Sequence, residues 1–558
     1  MSEVALKVRN NPNSFAKESE ITNELCACKI NDSKSVTIEL IQPKNAQPYD
    51  RNGRGGIPLF YNKANKLLYV DHTDKHSLVI GSTGSKKSRL LAMPTIITLG
   101  AASESMIISD PKAELFSKTS KYLKNLNYNV VAINLRDPQY GFAWNPLAIP
   151  YKWFLDGDID RAYEFANDIA INLTSTDKSN SDPFWDNSAG SFFFGLILLL
   201  FKYCKDYNLP RENVNIGNIM RLRDALCSGN WLTNKNSPWW QYAKTDSFIT
   251  STLIGTIETA NDTRAGILSV FDQKMRSLAI QPSLMNMLAQ NDIDYDLITE
   301  KPTAIFLIVP DEKTGFHGLV SLFIKQSYEY LVYKAQMAFE NDVSIGCRVN
   351  YILDEFSALP TINDFPAMIT AARSRNIRFN LFLQSKHQLK LRYREEADTI
   401  MANCENWIFL ASREIEFLHE MSELCGDAGN SQGKPVLTTS ELQRLDKIVG
   451  EVLVLHGRFK PFISNLADID ELNIPLVSSD FKYQYDKRSY PMWSQIDFKS
   501  KERIEEILDV LPYKNHMELS GLKKPDDLIK EIDRKIAELE QEEQLSTVTA
   551  DNKFKKGE

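Results

Sequence analysis

The stretch SLVIGSTGSKKSRLLAMPTI, residues 77–96, decides the fold. Three apolar residues, two of them β-branched, run into a Gly/Ser/Thr loop, and a Lys-Ser pair then opens a segment with helical apolar spacing. A phosphate-binding loop has this layout. Backbone N–H groups in the loop and at the helix N-terminus converge on phosphate oxygens, a lysine neutralises terminal phosphate charge, and a hydroxyl holds magnesium. Gly81, Lys87 and Ser88 fall on the motif positions, and Thr83, Gly84, Ser85 and Arg89 complete the candidate nucleotide-contacting set. Lys86 departs from the motif, standing where G-x-x-x-x-G-K-[ST] has its second glycine. A side chain there disfavours the backbone dihedrals that glycine accepts, while a second ammonium would attract phosphate. Three readings stay open at this residue: a working nucleotide site of altered shape, a site that binds without efficient hydrolysis, and an unrelated turn.

Outward from the loop, short β-branched runs alternate with helix-length segments: LLYV (67–70), SMIISD (105–110) and YNVVAINL (128–135). This alternation predicts βαβ units and a parallel sheet. From about 150 to 295 the strand signals stop, and segments such as 156–173, 189–203 and 248–279 carry helical spacing. Strand signals resume in TAIFLIVP (303–310), NYILDEF (350–356), IRFNLFLQS (377–385), WIFLAS (407–412) and GEVLVLHG (450–457). The expected architecture is α/β: a mainly parallel sheet in two parts, 57–149 and 296–475, around an all-α insertion at 150–295. An N-terminal appendage (1–56) and a charged helical tail (476–558) flank it.

Composition narrows the class. The 558 residues carry 65 Lys+Arg against 73 Asp+Glu, a formal charge of −8, with 43% hydrophobic residues. That is a globular balance; it excludes a mostly disordered chain and a protein that coats nucleic acid by bulk charge. Seven scattered cysteines form no disulfide scaffold, and Cys26-Ala27-Cys28 lacks the spacing and second pair of a zinc site. The N-terminus has no apolar signal segment. The longest apolar run, AGSFFFGLILLLFKY (189–203), is short of the ~20 residues that span a bilayer and is expected to be a buried helix.

Three further elements join the loop. NYILDEFSALP (350–360) is an apolar strand ending in Asp354-Glu355, where the aspartate reaches Mg²⁺ and the glutamate polarises attacking water. Gln384 ends the next strand, positioned to sense a γ-phosphate. Arg373, Arg375 and Arg378 precede that strand; Arg373 or Arg375 is a candidate for acting on a neighbouring subunit's nucleotide, and any of the three for contacting nucleic acid. In SDPKAELF, Asp110, Lys112 and Glu114 are expected near the nucleotide edge, in structural pairing or in the site. Phe184-Trp185 either stacks on bases or packs in the core.

With VIGSTGSKKSR, IISDPKAELF, WNPL (144–147), DPFWDNSAG (182–190), YILDEFSALP, LFLQSKHQL and ANCENWIFL in order along residues 57–470, the chain resembles the type IV secretion coupling proteins. These are conjugative DNA-transfer ATPases with a RecA-like motor and an all-α insertion. The resemblance implies ATP and Mg²⁺ as cofactors, Lys87 and Ser88 as phosphate and magnesium residues, Asp354 and Glu355 as metal and catalytic carboxylates, and Gln384 as sensor. It also implies a homo-hexamer when active, single-stranded DNA with its relaxase, or a protein substrate, as cargo, and a secretion channel as partner. Many members begin with transmembrane helices and this sequence has none, so the expectation is a cytoplasmic protein recruited to the inner membrane face by an anchor subunit. Two other readings remain: a non-hydrolysing adaptor that recruits cargo, and a hexameric duplex-DNA pump.

Overall fold

The computed structural model describes residues 14–30, 38–41, 55–174, 182–227, 238–310, 314–337, 345–427 and 434–472, with 474 and 476. The expected tail helices at 500–511 and 525–545 lie outside these residues.

Four strands, β1 (Cys26–Ile30), β2 (Ile38–Ile41), β3 (Ile57–Asn62) and β4 (Leu67–Asp71), form an antiparallel sheet in the order β2-β1-β4-β3. Nine more strands form the main sheet: β5 (His76–Gly81), β6 (Ser105–Asp110), β7 (Asn129–Asn134), β8 (Thr303–Ile308), β9 (Val349–Leu353), β10 (Ile377–Leu383), β11 (Cys404–Ala411), β12 (Glu451–His456) and β13 (Phe462–Asn465). Their order is β13-β12-β11-β5-β10-β9-β6-β8-β7. The stretch from β11 to β7 is parallel throughout, and β12 and β13 add antiparallel at one edge. Every residue of β5, β6, β8, β9 and β10 is buried, as a parallel sheet covered on both faces requires.

LLYV was expected in the parallel sheet; it lies instead in β4, antiparallel to β1 and β3. The reason is chain length. Only residues 72–75 separate β4 from β5, whereas a parallel neighbour needs a crossover of about a dozen residues. The segment expected as an appendage also contributes to the core. Cys26 and Cys28 are fully buried in the same apolar cluster as Leu90, Leu91, Ile96 and Ile97 of the helical segment after the phosphate-binding loop.

Arg378 ties the small sheet to the large one. Its buried guanidinium donates to the Asn350 side chain (2.7 Å), to the carbonyls of Gly55 (3.1 Å), Asp71 (3.0 Å) and Thr73 (2.8 Å), and to Glu104 (3.3 Å). A buried charge persists only with such full pairing, so Arg378 is a framework residue and not a surface contact for nucleic acid.

Between β7 and β8 the chain is helical, with the longer helices at Ile159–Thr174, Pro183–Asp206 and Asn261–Ala279. The helix Pro183–Asp206 starts on a local signal: the Asp182 carboxylate accepts the Phe184 N–H at 3.0 Å, and proline occupies the first turn. Among the described residues it alone is long and apolar enough to cross a membrane, and its residues from Ala189 to Phe201 are buried apart from Ser191. Neither ring of the Phe184-Trp185 pair lies in the core: Phe184 is exposed, and the part-buried Trp185 lies over Gly266, where an added Cβ would meet its ring at 2.4 Å. Residues 221–227 and 238–250 belong to a second compact unit, whose helix Pro238–Ala243 carries Trp240 beneath the Lys244 ammonium.

Candidate nucleotide-binding site

The carboxyl ends of four adjacent strands, β5-β10-β9-β6, carry the candidate residues. The register pairs Ile80 with Leu383, Leu381 with Leu353 and Leu353 with Ser109. Gly81, Gln384, Asp354 and Asp110 therefore emerge side by side at one edge, the edge where open parallel sheets bind ligands.

The loop after β5 is anchored by its backbone. Ser82 N–H donates to the Ala411 carbonyl of β11 at 2.9 Å, and Ser85 N–H returns to the Ser82 carbonyl at 3.1 Å. Glycine is required at 81, because a Cβ would lie 2.5 Å from Ser85 Oγ. Gly84 takes φ +77° and faces open space. The Lys87 ammonium, almost buried, donates to the Gly81 carbonyl, curling back over the loop it must neutralise. Burial pushes its pKa down, against the upward pull of Asp354 and Glu355. Ser88 opens a π-type turn to Ala92 that continues as the helix Met93–Ala101.

Asp354 is buried at the end of β9, its Oδ1 accepting the Glu355 N–H at 3.1 Å. Burial, with Glu355 beside it, raises its pKa to about 6, while Lys87 opposes the rise. Asp110, also buried, is raised to about 7 chiefly by burial even though its carboxylate accepts the Phe116 N–H at 2.8 Å. Glu355 sits at φ +52°, a left-handed conformation uncommon for a residue with a side chain and of the kind that concentrates at working sites. One chain of polar contacts crosses the edge. Thr83 Oγ1 donates to Gln384 Oε1 (3.2 Å), Gln384 Nε2 donates to Glu355 Oε1 (3.0 Å), and Lys112 Nζ stands 3.5 Å from the same oxygen.

These residues fit a magnesium nucleotide. Ser85 Oγ is buried in the loop without a hydrogen-bond partner among the described residues. Burial holds the carboxylates of Asp354 and Asp110 above their ordinary range, a penalty on their charged forms that a divalent ion would offset. The hydroxyl of Ser88 and the carboxylate of Asp354 are the residues that would hold it.

Lys86 and Arg89 do something else. Lys86 adopts φ +67°, the conformation for which the motif uses glycine, and its ammonium meets Asp468 Oδ2 at 3.2 Å. Arg89 Nε lies 3.0 and 3.1 Å from the two Asp468 oxygens, and its terminal nitrogen also pairs with Asp470. Lys86 and Arg89, expected on phosphate, thus share one carboxylate on the segment after β13, whose Leu466, Ala467 and Ile469 are packed in the core. The acids draw no attention in the sequence, because nothing local links LADIDEL to a loop more than 370 residues earlier.

Arg373 and Arg375 lie before β10, at the opposite edge of the sheet from Gly81, so neither reaches the phosphate loop of its own chain. Arg373 pairs with Asp74 (3.1 Å) and Glu405. Arg375 donates to the Ala371 carbonyl (2.7 Å) and makes no ion pair among the described residues.

The fold is that of the RecA-like P-loop NTPases, with an all-helical stretch inserted between β7 and β8. The family model for type IV secretory system conjugative DNA transfer matches residues 18–434, and the chain belongs to that family. Among solved structures it is similar to the bacterial conjugative coupling protein TrwBdeltaN70, at 15% identity and TM-score 0.52 over 75% of this chain and 90% of that one. It is also similar to the plasmid coupling protein TrwB in complex with the non-hydrolysable ATP analogue ADPNP, at 15% identity and TM-score 0.53 over 80% and 99%. A third similar structure, TrwB with ADP and Mg²⁺, has 15% identity and TM-score 0.52 over 73% and 88%. At this identity the likeness establishes the fold. No curated protein sequence matches the chain significantly.

Proposed function

We propose that this protein is a coupling ATPase that binds ATP with Mg²⁺ at the Gly81–Arg89 loop and delivers single-stranded DNA with its relaxase, or a protein substrate, to a type IV secretion channel. The observation that carries the reading is the gathering of the loop lysine, Asp354-Glu355 and Gln384 on one sheet edge, in a chain of the conjugative DNA transfer family. The solved relatives bound to ADPNP and to ADP with Mg²⁺ support the same ligand here.

The residues divide the work by position. Backbone N–H groups of the loop and helix start cradle phosphate, and Lys87 brings a cation already committed to the loop. Magnesium, when bound through Ser88 and Asp354, neutralises charge on the phosphate oxygens. Glu355 Oε1 takes the proton of an attacking water, and Gln384, bonded to that oxygen and to Thr83, couples loop position to the base. The arginines at the far edge act in a ring, where that edge of one subunit meets the loop of the next. Arg375, without an ionic partner among the described residues, is the better candidate than Arg373. The ring is a homo-hexamer at the inner membrane face, recruited by an anchor or channel subunit.

Steady-state ATP hydrolysis of the full chain, with and without single-stranded DNA across a salt series, tests the reading. Stimulation by DNA that falls with salt, and loss of turnover in Lys87→Ala and Glu355→Gln, is the expected result. Binding of nucleotide without turnover, with turnover appearing in Lys86→Gly, would establish the non-hydrolysing adaptor instead.

A further inference from the structure

Lys112 belongs to no part of the loop or carboxylate motifs, yet its ammonium stands inside the site. It lies 3.5 Å from Glu355 Oε1, and its charge is felt at both Lys87 and Asp354, lowering the pKa of each. The segment that carries it is fixed. Asp110 behind it is buried and holds the Phe116 N–H, Arg136 donates to the Pro111 carbonyl at 3.1 Å, and Ala113 sits in a left-handed turn at φ +56° that starts the helix Glu114–Asn125. The side chain itself is about half exposed, at 53%. A half-exposed ammonium on an anchored segment, 3.5 Å from its acid, adds little to stability. Its placement is the informative part. Lys87 rises from the end of β5 and Lys112 from the end of β6, with β10 and β9 between them. Two cations thus flank the space above Gln384 and Glu355, where the terminal phosphate of a triphosphate on the Gly81 loop would arrive.

Resting on the nucleotide reading above, we propose that Lys112 is a ligand of the terminal phosphate of a bound nucleoside triphosphate, parked on Glu355 until that phosphate takes it over. The exchange has two consequences. It adds a charge-assisted contact that a diphosphate lacks, so Lys112 sets the preference for triphosphate over diphosphate. It also releases Glu355 from its cation at the moment the carboxylate is needed as a base.

Calorimetric binding of the full-length protein to ADP and to a non-hydrolysable ATP analogue, each with Mg²⁺, separates this role from a structural one. Lys112→Met should weaken the analogue roughly 10-fold or more while leaving ADP within about 2-fold, and Lys112→Arg should keep most of the preference. Equal weakening of both ligands, or of neither, in Lys112→Met overturns the proposal. Absence of binding of either nucleotide to the unaltered protein would overturn the nucleotide reading itself, a failure seen before any variant is made.

Discussion

Lys86 and Asp468 should be energetically coupled, and the coupling can be sized from the structure. A non-glycine residue at φ +67° carries strain of about 1 kcal/mol relative to glycine, after allowance for glycine's own backbone entropy. Against this stands the pair with Asp468, whose side chains are 34% and 15% exposed and whose contribution is therefore about 0.5–1 kcal/mol. Lys86→Gly relieves the first and loses the second, so alone it should be within about 0.5 kcal/mol of neutral. Asp468→Asn removes the anion from Lys86 and Arg89 together and should loosen the loop by about 1–2 kcal/mol. In that background Lys86→Gly has strain to relieve and no pair to lose, and should recover about 1 kcal/mol. Amide hydrogen exchange of peptides covering 82–92 and 464–472 is the suitable assay, because it follows local opening without requiring two-state unfolding of a long chain. Since 1 kcal/mol is about 5-fold in the opening equilibrium, Lys86→Gly alone should change exchange by less than about 2-fold, Asp468→Asn should speed it by about 5-fold or more, and the double variant should exchange about 5-fold slower than Asp468→Asn. An identical effect of Lys86→Gly in both backgrounds would refute the argument, because the two residues would then be independent.

Three other outcomes are expected. His76 is buried between the Ile369 carbonyl, to which Nε2 donates at 2.8 Å, and the Phe379 N–H, which donates to Nδ1 at 3.0 Å; burial lowers its pKa from 6.5 to about 4. The fold favours neutral His76, so this stability is present above the unfolded value and lost as pH falls through about 4, on the order of 3 kcal/mol in all. The melting temperature should fall between pH 7 and 4 with a slope that His76→Asn flattens; an unchanged slope would locate the acid sensitivity elsewhere. Arg378→Met should destabilise by about 3–5 kcal/mol by removing the nearer guanidinium from the buried Glu104 carboxylate, which keeps only Arg348 at 3.9 Å as an ionic partner among the described residues, and adding Glu104→Gln should restore part of the loss in a melting experiment. Gly266→Ala should cost about 1–3 kcal/mol and change tryptophan fluorescence because its Cβ would meet Trp185, whereas Gly255→Ala, facing open space in the helix Ser247–Ile257, should stabilise by about 0.5–1 kcal/mol.

Much of the fold was legible because a parallel sheet buried on both faces writes itself as unbroken apolar runs. SLVIG, SMIISD, TAIFLIVP and IRFNLFLQS each carry one of its strands, and the run 189–203 is the buried stretch of one long helix, as expected. LLYV misled because an apolar run does not state its partner; the shortness of residues 72–75 was the available clue. At the site, the strand-end position of Asp354, Glu355 and Gln384 followed from where each apolar run stops, since a residue just past a parallel strand emerges at the shared edge. Arg373 and Arg375 stand just before a strand, and the same rule sends them to the other edge.

The sequence by itself determined the phosphate-loop architecture, since strand, glycine loop and helix are consecutive and their geometry is local. Only the tertiary structure decided what Lys86, Arg89 and Lys112 do. Their partners are Asp468, 382 residues from Lys86, and Glu355, on a strand two positions away in the sheet from the one that carries the loop. A charge acts over a few ångströms of space whatever its distance along the chain, so no spacing pattern records these contacts until the fold closes them.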